Sequence, residues 1–426
     1  MQRAAAGAVT AVTAAAAPIE ESAARPRVRA PGVALPRILV LVLAGGAGGR
    51  LRLLTEQRAK PAVPFAGVYR LIDFPLSNCQ HSQIADVWIS VQYHPVSLAD
   101  HLSNGRPWDL DRTTGGLMTL PPFQGTERGG WVSGTADLLW RQAELIRQSA
   151  ADALVVVSSD AVYTLDYREV AQEHLDSGAE VTMVTTEVAA DDAARYGIVR
   201  VGDGGKVEDY AYKPDEPATT TATNEVFVFT PEPTLDRLEH LGDAVGEDGL
   251  QDLGSHLLPA QTRDGLARAH PLRGYWRDVG TVPAYWQAHR DFLSPEPPID
   301  LDDPAWPVHT RGGRHSAARV LPGAEVDESL ISGGTRIAGT VRGSVLSPGV
   351  VVEHGATVVD SVLLPGARVR AGATVTRAVL DDGVEVGERA DVGGDGEITL
   401  VGRRSRIGAG TQVAAGAQVP DPDAED

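Results

Sequence analysis

The chain has 426 residues, more than one hydrophobic core usually serves, so two domains are the starting expectation. A formal net charge of −19, with its acids spread along the chain, removes nucleic acid from the partners, because a polyanion needs a basic face. The lone cysteine, Cys79, excludes an internal disulfide or a multi-cysteine metal site and fits a reducing, cytoplasmic setting, and no stretch is long and apolar enough to span a membrane.

Residues 1–36 are alanine-rich, with scattered arginines and no leucine-rich core. They read as a disordered or mis-started extension, with a transit peptide as the minor alternative to it and no match to a secretory signal. The next run, Ile38 to Leu43, is apolar and bounded by glycine, which predicts a buried strand. It opens into Gly45-Gly46-Ala47-Gly48-Gly49-Arg50, and Arg58-Ala59-Lys60-Pro61 follows shortly after. Glycines at this density let successive amides close on an anion, and Arg50 and Lys60 supply countercharge. The spacing is neither the dinucleotide fingerprint nor the Walker loop. Of 38 basic residues only Lys60, Lys206 and Lys213 are lysines, so a compact ammonium at Lys60 asks for a reason.

Val87 to Val91, Leu154 to Val157, Val181 to Thr185 and Val226 to Phe229 are further strand candidates. Thr135 to Arg147 carries apolar residues at helical spacing behind Gly134. Strand and helix in alternation predict an α/β domain over residues 37–293 with a mostly parallel sheet, whose ligands sit at the carboxyl ends of the strands. Asp160, just beyond Leu154 to Val157, and Asp278, in Tyr275-Trp276-Arg277-Asp278-Val279-Gly280-Thr281, are candidates to share one Mg²⁺. Lys213, before Pro214, is expected in extended backbone, facing either a second phosphate or solvent. The histidines lack metal-ligand spacing and read as structural, and no nucleophile triad is present. If the nucleophile is an ionised phosphate oxygen, alignment, a metal and cations suffice.

The proline- and acid-rich stretch 294–308 reads as a linker to a second domain, 309–426. There Ser344-Val345-Leu346-Ser347-Pro348-Gly349 recurs as Ser361 to Gly366 and Ala378 to Gly383, at a spacing of seventeen residues. Hexads with a small aliphatic residue and a turn glycine predict a parallel β-helix, a packing and assembly module rather than a sugar-binding one. Gly393-Gly394-Asp395-Gly396 breaks this register, which resumes near Ile407, as an irregular terminal coil would.

Several strings in order resemble the bacterial ADP-glucose pyrophosphorylases, or glucose-1-phosphate adenylyltransferases. They are the glycine loop, Arg58 to Val63, Arg70-Leu71-Ile72-Asp73-Phe74-Pro75-Leu76-Ser77-Asn78, Gly134-Thr135-Ala136-Asp137, Tyr275 to Thr281 and Trp306-Pro307. The resemblance implies a Rossmann-like nucleotidyltransferase domain followed by a left-handed parallel β-helix. It also implies transfer of adenylyl from ATP to α-D-glucose 1-phosphate, giving ADP-glucose and pyrophosphate, with Mg²⁺, in a homotetramer serving glycogen or related α-glucan synthesis. Arg50, Lys60 and Asp160 would be catalytic, and Asp160 and Asp278 would hold the metal. Gly45, Gly46, Gly48, Gln124, Gly134 and Thr135 would line the nucleotide side, and Gly197, Lys213 and Thr223 the sugar side.

The chain departs from the family pattern at several positions. Tyr212 stands where a sugar-binding glutamate is usual, and Glu225, beside the same pocket, is a candidate to replace that carboxylate. Asp160 keeps its place between Ser159 and Ala161, where glycine and histidine are usual; Val132 replaces a tyrosine, and Gln57 an activator-binding lysine. These changes leave two alternatives, a nucleotidyltransferase for another hexose 1-phosphate or nucleotide and a non-catalytic regulatory paralogue.

Overall fold

A computed structural model describes residues 35–46, 48–121, 132–245 and 249–420, so residues 1–34 of the N-terminal extension, Ala47 and Gln124 lie outside the described residues. In chain order the strands of the α/β domain are β1 Ile38–Ala44, β2 Pro64–Phe65, β3 Tyr69–Arg70, β4 Asp86–Val91, β5 Gly116–Leu120, β6 Ala153–Ser158 and β7 Ala161–Tyr163. They continue as β8 Val181–Glu187, β9 Gly197–Val201, β10 Val207–Tyr212, β11 Thr221–Phe229, β12 Ala267–Pro271 and β13 Trp276–Asp278. β1 lies inside a nine-stranded sheet of order β10-β9-β11-β6-β1-β4-β5, with β8 and β12 joined beyond β11. Its Val40 and Val42 enter one apolar core and its Leu39 and Leu41 the other. Burial on both faces is why β1 reads as a continuous apolar run without alternation.

The strands β6, β1, β4 and β5 are mutually parallel, so the ends of β1 and β6 open on the same sheet edge. From β11 outward the sheet is mixed. β11 runs antiparallel to β6, β8 and β9, while β12 returns parallel to β8. Apolar runs alone do not specify this reversal, because a buried strand looks the same in either direction. The segment expected as one helix from Thr135 is two, Thr135–Arg141 and Ala143–Ser149, separated at Gln142, whose φ is −96° and ψ 6°.

Residues 319–419 form three six-stranded parallel sheets, each coil giving one strand to each sheet, in keeping with the left-handed β-helix expected. Val345, Val362, Val379 and Leu400 stack in register. The corner glycines Gly349, Gly366 and Gly383 have φ of +76°, +73° and +68°, the conformation that the repeating turn demands. The register break is not terminal. Residues 394–398 loop out at a corner of the fifth of six coils, and Thr399–Val401 pairs back onto Ala378–Leu380. Stacking fixes where each strand must lie, so extra residues are expelled at a corner.

The two domains share a core. Leu51, Leu53, Phe65 and Trp286 of the α/β domain pack with Val345, Val362, Val379 and Leu400 of the β-helix. Beside it, Arg58 donates to Asp381, the pair being 4% and 0% exposed. The Trp306-Pro307 segment docks on the helix Asp73–His81, with the Trp306 ring 4.5 Å from His81.

Candidate functional site

β1 delivers Gly45 and Gly46 to a cleft of about 340 Å³, whose wall also includes Lys60, Thr135, Asp160, Glu225 and Asp252. Gly48 follows at φ +70°, and a Cβ there would lie 2.9 Å from Thr55 Cγ2, so the loop requires glycine at this turn. Arg50, exposed, turns its guanidinium toward Gly280, where a Cβ would sit 3.2 Å from Arg50 Nη2 and 2.9 Å from the carboxylate oxygens of Asp278.

β6 ends at Ser158 and places Asp160 at the same edge, while β13 pairs antiparallel with β7 so that Asp278 faces Ala161. The two acids, far apart in sequence, thereby flank Lys60. Its ammonium donates to Asp160 and lies 3.9 Å from Asp278, and Ser158 donates to the other oxygen of Asp160. Burial opposes the Lys60 charge, but the two carboxylates outweigh it and hold its pKa above the ordinary value. Burial likewise opposes the Asp160 charge, yet the adjacent Lys60 draws its pKa down. For Asp278, burial and then repulsion from Asp160 prevail, and its pKa rises. Arg195 is a second cation on Asp278, at 3.2 Å.

Two carboxylates already balanced by an ammonium suit a small divalent cation that keeps phosphate oxygens as its other ligands. Among the described residues no cluster of three or more ligating side chains exists, so the donor set is too sparse for a metal caged wholly by protein.

On one flank, Gly134 precedes the helix Thr135–Arg141. A Cβ on Gly134 would meet the Gln251 carbonyl carbon at 2.3 Å. This close approach lets Ala136 N donate to Gln251 O at 2.9 Å and Thr135 N to Asp252 Oδ1 at 3.3 Å. On the other flank, Gly197 leaves room for Tyr210 Oη and Thr223 Oγ1, which a Cβ would approach to 2.6 and 2.9 Å. Glu225 sits at φ +63° where β11 slips register against β8. Its side chain is open to the cleft, yet its pKa is pushed up to about 7, by desolvation first and then by Asp160 and Asp278. It shares the wall of the cleft with Asp160.

Lys213 corrects the sequence reading of its backbone. Its φ is +47°, outside the extended region, because its N–H turns back to donate to Tyr196 O at 3.0 Å as β10 ends. Its ammonium donates to Tyr212 Oη at 2.9 Å.

The sequence matches the nucleotidyl transferase family over residues 39–294 and the family described as GlmU-like, C-terminal hexapeptide over residues 317–413. It is 37% identical over 323 residues to a glucose-1-phosphate adenylyltransferase of Acetivibrio thermocellus, covering 76% of this chain and 75% of that one. Proteins of the same name from Thermotoga neapolitana and Thermomicrobium roseum are 39% and 40% identical, over 75% and 70% of this chain and 76% and 69% of theirs. The chain belongs to the glucose-1-phosphate adenylyltransferase family. In this adenylyltransferase fold Gly45, Gly46, Lys60, Gly134, Thr135, Asp160 and Glu225 meet around one cleft. Asp278 and Arg50 stand at its Lys60 end, and Gly197, Thr223 and Lys213 on the flank of Tyr210 and Tyr212.

Sequence reasoning missed Asp252 and Arg195. Asp252 joins the Thr135 turn to Tyr212, whose phenol donates to its Oδ2 at 2.8 Å. Its sequence signal is slight, an acid in the turn-prone string Asp252-Leu253-Gly254-Ser255. Arg195 carries none, being one arginine among many.

Proposed function

We propose that the cleft transfers the adenylyl group of ATP to α-D-glucose 1-phosphate, giving ADP-glucose and pyrophosphate, for glycogen or related α-glucan synthesis. The observation that carries this reading is the meeting of Lys60, Asp160 and Asp278 at the end of the glycine-loop strand. The phosphate oxygen of the sugar phosphate attacks the α-phosphorus, and the bond from that phosphorus to the oxygen bridging the α- and β-phosphates breaks. Pyrophosphate leaves with the electron pair. The attacking oxygen is ionised at neutral pH, since a phosphate monoester loses its second proton at about pH 6, so no protein base is needed.

Amides of the glycine loop and the cations of Arg50 and Lys60 bind the triphosphate and stabilise the departing charge. Asp160 and Asp278 would hold Mg²⁺, which supplies charge neutralisation at the phosphates. The turn at Gly134 and Thr135 supports the nucleotide, with Gln124 assigned to the same side. Lys213 takes the sugar phosphate, with Gly197, Thr223 and Glu225 around the hexose. The β-helix supports assembly as a homotetramer. Among the described residues no helix is long and apolar enough to cross a membrane. A cytoplasmic setting is proposed on the lone, buried Cys79, which suits a reducing compartment.

Tyr212, in place of the usual glutamate, favours testing a second reading, another hexose 1-phosphate as acceptor. Mg²⁺-dependent pyrophosphate release across a panel of nucleotides and hexose 1-phosphates decides between them. Highest kcat/KM with ATP and glucose 1-phosphate is expected. Preference for another pair would replace that assignment, and no turnover with any pair would leave the regulatory paralogue.

A further inference from the structure

Tyr212 ends β10 with its ring over Gly254, where a Cβ would come within 2.2 Å of its Cδ2, so the ring's position depends on that glycine. The phenol hydrogen goes to Asp252 Oδ2 at 2.8 Å, and Asp252 is itself held through Oδ1 by the Thr135 amide at 3.3 Å. Desolvation, reinforced by the Asp252 charge, raises the phenol's pKa, so it stays protonated and its only hydrogen stays committed. Toward the sugar flank the oxygen can therefore only accept. What it accepts in this state is Lys213, whose Nζ donates at 2.9 Å and lies 4.6 Å from the ring centroid.

A phosphate dianion is a stronger partner for an ammonium than a neutral phenol is. When the sugar phosphate draws Lys213 away, Tyr212 Oη loses its donor beside the incoming hexose. An unfilled acceptor in a closing site costs free energy, and a sugar hydroxyl is the donor available to fill it. We propose that Tyr212 Oη is the acceptor for one hexose hydroxyl, kept occupied by Lys213 until the sugar's own phosphate takes that lysine. This rests on the reading of Lys213 as the sugar-phosphate ligand. The exchange makes recognition of phosphate and of hydroxyl interdependent: free glucose meets an occupied acceptor, and inorganic phosphate vacates it without refilling it.

The test is calorimetric binding of glucose 1-phosphate and its 2-, 3-, 4- and 6-deoxy analogues to the full chain, with Mg²⁺ and a non-hydrolysable ATP analogue. For the wild type, one deoxy analogue is expected to bind about tenfold more weakly than glucose 1-phosphate, the value of one hydrogen bond. In Tyr212→Phe, glucose 1-phosphate itself weakens by about that factor and that analogue is no longer distinguished from it. Tyr212→Met, which fills the volume differently, must lose the same discrimination. A variant that weakens every ligand alike and keeps the wild-type ranking would overturn the proposal, since that is what a purely structural tyrosine does. Failure of the underlying reading looks different: Lys213→Met then binds glucose 1-phosphate as tightly as wild type.

Discussion

Replacing Asp381 by asparagine tests the junction between the two domains. Asp381 and its partner Arg58 are 0% and 4% exposed, so the wild-type pair is formed away from solvent. Removing one member of a buried ion pair costs about 3–5 kcal/mol, because the other charge is left desolvated. Two features place this case at the lower end. Asp382 stays 3.6 Å from the same guanidinium nitrogen, and an asparagine oxygen can still accept the Asp382 amide, now bonded to Asp381 Oδ1 at 2.6 Å. The expected loss is about 3 kcal/mol, a large share of the roughly 5–15 kcal/mol of a typical fold. Urea unfolding followed by tryptophan fluorescence reads it as a lowered midpoint with unchanged slope. The double variant R58M/D381L removes both charges and should return to within about 1 kcal/mol of wild type. A D381N protein within about 0.5 kcal/mol of wild type, the range of an ordinary surface change, would refute the reasoning.

Asp160→Asn should lower pyrophosphate release about 10³-fold at saturating substrates; a rate near wild type would remove Asp160 from the metal site. Gly48→Ala imposes a left-handed backbone on a residue with a Cβ, 2.9 Å from Thr55, and should cost about 1–2 kcal/mol and raise the KM for ATP, read from initial rates. Glu225 has its pKa raised from 4.5 to about 7, so the native protein holds its proton more tightly than the unfolded chain, and metal-free stability falls as pH rises through that interval. Glu225→Gln should therefore gain on wild type between about pH 5 and 8 in parallel denaturant titrations, the effect being reduced by solvent in the open cleft; curves that stay parallel would contradict this. His174 and His289 are buried with pKa lowered from 6.5 to about 4, chiefly by burial, so stability is full above about 6.5 and declines as pH falls toward 4. His289→Phe, beside Phe65, should flatten part of that decline in the same assay.

The meeting of the glycine loop and Asp160 at one sheet edge was legible because it rests on local patterns. A buried run ending in glycines, and an acid just past a second run, each mark a strand terminus without knowledge of the partner. Parallel pairing of β1 and β6 then brings the two termini to one edge. The flank that carries Gly197, Lys213, Thr223 and Glu225 was less legible. It depends on the antiparallel strands β9, β10 and β11, on the slip that turns Glu225 into the cleft, and on the turn that takes Lys213 to φ +47°. These are consequences of tertiary pairing, and Asp252 acts there only because the fold carries it to Thr135 and Tyr212. The β-helix announced itself through its period. Its fifth-coil loop was misplaced because a break in a repeat looks the same at the end of a stack as inside it.

Arg58 and Asp381 are 323 residues apart, which has a consequence for the order of events during synthesis. At about 5–20 residues per second, the ribosome needs some tens of seconds after making Arg58 before it supplies the carboxylate that neutralises it. Leu53 and Phe65, made at about the same time as Arg58, likewise wait for Val345, Val362, Val379 and Leu400. A nascent α/β domain thus carries an uncovered apolar face and an unneutralised arginine two positions from Lys60. The chain's first half is committed to its second, and translation halted before the fourth coil releases a protein with an unfinished lysine loop.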